Sequence, residues 1–166
     1  MFYENILWSG SALLITHSFL PNSKAYWVKT INGVEVKRTF VETDSLGFRT
    51  SEKCKQPSNK YLFLGCSFSF GAYADSDSTF SHLLSQEFDA DYINAGVSAY
   101  GLAQMNILAE ELIPKYKPDY VFVQYTPWLY DRAVSMYAPT YRNTIRPFPY
   151  VSRIDGAIQI IPPLFC

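Results

Sequence analysis

The 166-residue sequence predicts an α/β domain built on a parallel sheet and preceded by an antiparallel β-hairpin. Three apolar runs, "KYLFLGC" (60–66), "DYIN" (91–94) and "DYVFVQY" (119–125), have the length and composition of strands covered on both faces. Two segments with helical spacing of apolar residues lie between them, and strand, helix, strand, helix, strand is the order of right-handed crossovers joining parallel strands. Ahead of these, two β-rich runs flank Asn32-Gly33, the pair best suited to the positive φ angles of a two-residue hairpin turn.

In chain order, "ILWSGSALLITHSFL" (6–20) is uncharged but shorter than the roughly 20 residues of a spanning helix, and it lacks a basic flank and a cleavage site. A buried or surface-laid segment is favoured over an anchor or signal remnant, so no membrane span is expected. The hairpin covers 26–41, and a polar linker leads through residue 59 to the first apolar strand. Residues 78–88 place Phe80, Leu83, Leu84 and Phe88 on one helical face. Residues 102–116 form a second helix with Leu102, Met105, Ala109, Leu112 and Ile113 inward, and Pro114 helps to end it. The pattern lapses beyond Ala133, where prolines and aromatic residues accumulate, before "YVSRIDGAIQII" (150–161) offers a second hairpin around Asp155-Gly156. This divides the chain into an N-terminal segment (1–59), an α/β core (60–132) and a Pro- and aromatic-rich extension (133–166). With three parallel strands in view, the reading is an N-terminal part of a longer protein, or else a minimal sheet completed by an unusual tail.

Fourteen Lys+Arg against fifteen Asp+Glu give a formal charge of −1, which leaves no basic footprint for nucleic-acid phosphates. Cys54, Cys66 and Cys166 show no CxxC or Cys/His ligand spacing, so no disulfide framework or zinc site is expected, and Cys66 reads as a small core residue. Asp75 and Asp77 suit a surface loop and helix start better than a metal site. No cofactor is expected, and the first loop lacks the Gly-x-Gly pattern of a phosphate cradle.

In an open parallel sheet the ligand crevice lies beyond the carboxyl ends of the strands. Three loops meet there: "GCSFSFG" (65–71), "NAGVSAYG" (94–101) and "TPWLYDR" (126–132). The first resembles the opening block of the SGNH/GDSL esterase superfamily, Gly-Asp-Ser-x-Ser/Thr-x-Gly, and the second resembles its second block. "ETDSLGFRT" (42–50) is similar to a Gly-Phe-Arg segment that often precedes the first block in bacterial envelope members. The match spans roughly residues 40–132.

The resemblance implies a flavodoxin-like three-layer α/β/α fold, incomplete here, and a serine hydrolase working through an acyl-Ser67 intermediate. Its class would be an esterase or O-acyl transferase, acting on a small-molecule or carbohydrate ester. The backbone N–H groups of Ser67 and of Ala99, or alternatively Gly96, would form the oxyanion hole; Ala in place of the family Gly matters only if that loop needs positive φ. The third block departs from the family: Trp128 and Leu129 stand where an oxyanion Asn is usual, leaving Trp128, Gln124 and Thr126 as candidate donors or substrate contacts.

Arg132 could hold substrate, although a surface pair with Asp131 is favoured. Arg49 is expected to anchor the N-terminal hairpin, and Asn94 to tie down the second loop. The Asp-x-x-His block is missing. The histidines are His17, in the N-terminal run, and His82, read as an ordinary helix residue, so the base is expected beyond residue 166. Family analogy points to the bacterial envelope or periplasm, with the cytoplasm left open. The competing reading is a non-catalytic module of the same fold that binds a glycan or partner.

Overall fold

A computed structural model describes residues 18–139 and 145–163 and has a mixed α/β architecture. The first hairpin forms at the expected turn: β1 (Lys24–Ile31) and β2 (Val34–Thr43) run antiparallel around Asn32 and Gly33, whose φ angles are 50° and 79°. A two-residue strand, β3 (Arg49–Thr50), then pairs antiparallel with β2 on one side and with β5 (Ala90–Gly96) on the other. The hairpin is thereby joined to the main sheet. Parallel pairing follows: β4 (Asn59–Gly65) lies between β5 and β6 (Tyr120–Val123), giving the order β1-β2-β3-β5-β4-β6.

The strand alternation divides the core. Leu62 and Leu64 of β4 join Ile93, Ala95, Met105, Leu108 and Leu112 in the larger cluster, with Cys66 among them. Tyr61, Phe63 and Tyr92 form a second cluster with partly buried Leu84 and Phe122. Helix α3 (Leu102–Tyr116) spans the expected residues, and the Gln104 side chain accepts from the Gly101 N–H at its start. Its inward face is rotated from the expected one: Leu108 is buried, whereas Ile113 is exposed. Pro114 sits in the last turn, and the helix closes on Lys117 at φ 52°.

Helix α2 (Phe80–Glu87) corrects the sequence reading more strongly. Ser81, His82 and Ser85 are buried, while Phe80, Leu83 and Phe88 are about half exposed. A polar contact accounts for this orientation: Ser81 Oγ accepts from the buried amide of Asn94 on β5 at 2.9 Å, and turning the helix would strand that donor. Phe80 still meets Phe63 edge-on at 5.3 Å. Strand β6 also differs from expectation, because Tyr120, Val121 and Val123 are exposed on the outer strand of the sheet.

After β6 comes α4 (Pro127–Val134), with Pro127 at its start, followed by two separate two-stranded ribbons: β7 (Tyr137–Pro139) with β8 (Ile145–Pro147), and β9 (Tyr150–Ile154) with β10 (Ala157–Ile161). The second ribbon turns at Asp155-Gly156 as the sequence predicts, and β9 packs on α4. Among the described residues no helix is long and apolar enough to cross a membrane. Most of the apolar run 6–20, including His17, lies outside the described residues.

Candidate active site

The chain leaves β4 through a sharp bend and enters a one-turn helix, α1 (Ser67–Phe70), whose first residue is half-buried Ser67. Two close approaches make this bend possible. A Cβ at Gly65 would lie 1.9 Å from Ser69 Oγ, and one at Gly96 would lie 2.4 Å from the Phe70 nitrogen. Glycine is the residue that lets the first and second loops pack this tightly.

A single helical turn closes too few internal hydrogen bonds to stand alone, and side chains from β3, β5 and the end of β6 hold it. Gln124, just after β6, places Oε1 to accept from the Cys66 N–H at 3.0 Å, the Ser69 N–H at 3.2 Å and the Ser69 hydroxyl at 3.0 Å. Its Nε2 donates to Cys66 Sγ at 3.2 Å. Gln124 therefore braces the bend. From β5, Asn94 Nδ2 donates to the Ser69 carbonyl at 2.8 Å, and its Oδ1 accepts from the Gly96 N–H at 3.1 Å. From β3, buried Arg49 donates to the Phe70 and Gly71 carbonyls. Asn94 thus ties the second loop as expected and the first loop as well.

The Gly96 N–H is taken by Asn94, which leaves Ala99 as the second-loop oxyanion candidate. Ala99 sits at the third position of a turn closed by the Tyr100 N–H donating to the Val97 carbonyl at 3.2 Å, and its φ is 70°. That is the position where a turn with positive φ favours glycine, so the chain carries strain where the resembled family carries Gly. Among the described residues neither the Ser67 nor the Ala99 N–H donates a hydrogen bond. Both are the type of donor that can receive an oxyanion.

The third loop reaches the first through rings: Phe68, two-thirds exposed, and Trp128, on α4, have centroids 5.7 Å apart. Thr126 caps the start of α4 with its main chain, and its enclosed Oγ1 has no hydrogen-bond partner among the described residues. Arg132 does not pair with Asp131; its Nη1 donates to the Tyr100 carbonyl at 3.2 Å, linking α4 to the second loop. Asp75 likewise has a framework role, its Oδ1 accepting from the Phe40 N–H at 3.0 Å. Among the described residues no group of three His, Cys, Asp or Glu side chains is arranged to hold a metal ion.

Ser67 Oγ donates to Cys66 Sγ at 3.9 Å, and no imidazole is hydrogen-bonded to it among the described residues. His82 is buried on α2 with its ring 6.1 Å from that of Tyr92, four residues before Gly96 on β5. His82 thus lies on α2 against β5 and makes no hydrogen bond to Ser67. Comparison with models of known protein families gives no match for this chain, and comparison with curated proteins gives none either.

Proposed function

We propose that the chain carries the nucleophile and two oxyanion donors of an SGNH-type serine esterase or O-acyl transferase. Ser67 attacks the ester carbonyl, the alcohol leaves, and the acyl group rests on Oγ until water or an acceptor alcohol takes it. The flavodoxin-like fold of that superfamily accords with the parallel order β5-β4-β6 and with loops converging at the carboxyl edge. The observation that carries the reading is Ser67 at the head of a braced one-turn helix, with its own N–H and that of Ala99 without partners among the described residues. The expected base is an imidazole supplied from outside the described residues, and the substrate is a small-molecule or carbohydrate ester.

A second reading is favoured by one observation: no described imidazole approaches Ser67, and Gln124 is engaged in the bend. On that reading the same edge binds a glycan or partner without turnover. Reaction with a fluorophosphonate, read by mass spectrometry, separates the two. Labelling of the full-length protein that is lost in Ser67→Ala supports the esterase; an unlabelled full-length protein favours the binding module.

A further inference from the structure

We propose that Arg49 is a positioning residue for Ser67, fixing the one-turn helix from beneath through its last carbonyls; this rests on the reading of Ser67 as the nucleophile. Arg49 is 2% exposed, and every N–H of its guanidinium has an acceptor. Nε donates to Ser76 Oγ at 3.3 Å. Nη1 donates to the Phe70 carbonyl at 3.0 Å and to the Gly71 carbonyl at 2.6 Å. Nη2 donates to the Phe40 carbonyl at 3.1 Å and to the Ala74 carbonyl at 2.5 Å. All five acceptors are neutral, and the group also lies over the Phe70 ring, 4.9 Å from its centroid.

A helix leaves its final carbonyls without internal partners. At the end of α1 the successive carbonyls of Ser69, Phe70 and Gly71 accept from two side chains, Asn94 and Arg49, which are cross-strand neighbours where β3 meets β5, and the Gly71 carbonyl also accepts from the Ala74 N–H. The position of Ser67 is therefore set from the sheet through the far end of its own helix. A planar fork with five donors can reach acceptors on β2, α1 and the following loop together, whereas a lysine offers three donors at one point. Burial lowers the Arg49 pKa to about 10, with Asp75 opposing, so the fork stays charged at neutral pH.

The test compares wild type with Arg49→Lys and Arg49→Met in two measurements. Fluorophosphonate inactivation separates kinact from KI, and amide hydrogen exchange follows Phe70, Gly71 and Ala72, whose N–H groups close the α1 turn. The expected result is a kinact about 100-fold lower with KI little changed, as for a misplaced nucleophile. The three α1 amides should exchange at least about 10-fold faster while the β4–β5 ladder keeps its protection. A merely structural role would lower the labelled fraction and leave the rate constant of the folded molecules unchanged. Folded variants with unchanged α1 exchange or unchanged kinact would overturn the proposal. An unlabelled wild type would instead remove the nucleophile reading, and exchange would still decide whether Arg49 holds α1. If both variants fail to fold, Ser76→Ala, which removes the Nε acceptor together with the longer Ser76 bonds to Glu42 and Phe40 of β2, should speed the same amides a few-fold; unchanged exchange there would overturn the proposal.

Discussion

The two ends of β5 use polar side chains in opposite ways. At its carboxyl end Asn94 is buried and bonded to neutral groups on α1, α2 and its own strand. At its amino end Asp91 is partly exposed, with Lys53 Nζ 2.9 Å from one carboxylate oxygen and the Tyr116 hydroxyl 2.9 Å from the other. The first end fixes geometry, because each lost bond strands a buried partner. The second contributes charge attraction that water screens. The proposed site lies at the end where bonds are neutral, directional and enclosed.

Asn94→Ala is the strongest way to break that contrast. It leaves the Ser69 carbonyl and the Gly96 N–H without partners and the Ser81 hydroxyl with Thr79 alone, and should lower stability by about 3 kcal/mol in urea unfolding. A loss as small as that of an exposed surface change would show that the carboxyl end is no more constrained than the amino end. Ala99→Gly sharpens the contrast in the other direction. Relief of the positive φ at Ala99 should raise stability by about 0.5–1 kcal/mol, and a loss would show that the turn is not strained.

The smallest effect belongs to Asp91→Asn, about 0.5 kcal/mol at neutral pH. Burial would raise the Asp91 pKa, but the Lys53 ammonium, the Tyr116 hydroxyl and the Tyr92 N–H outweigh it and hold the group below the usual carboxylate range. A depressed folded pKa gives stability that is fully present above the unfolded value near 4 and disappears as pH falls through the folded one. The difference between Asp91→Asn and wild type should therefore shrink below about pH 4. A difference that stays constant through acid would assign the effect to packing.

Much of the scaffold was legible because burial writes itself as period: the runs in β4 and β5, α3 and both Xaa-Gly turns read directly from apolar spacing and turn chemistry. Helix α2 was misread for a physical reason. Its apolar stripe argues for Phe80 and Leu83 inward, but the Ser81 bond to Asn94 sets the rotation, and a hydrogen bond to another strand leaves no mark on local periodicity. The two-residue strand β3 was too short to register, so the joining of hairpin and sheet went unseen. The place of Ser67 just past β4 was legible from small residues following a buried strand. Gln124 carries one local signal, a polar residue at the end of an apolar strand, and its bonds to the first loop leave no mark on the sequence.

The most direct measurement is the site of fluorophosphonate attachment, mapped by peptide mass spectrometry on the full-length protein, as the native chain and again as the urea-unfolded chain. A nucleophile held by Gln124, Asn94 and Arg49 predicts an adduct on Ser67 in the native chain that is absent after unfolding and absent from Ser67→Ala. No adduct on the native chain, or equal labelling of Ser67 in the unfolded one, would contradict the claim that this fold activates that serine.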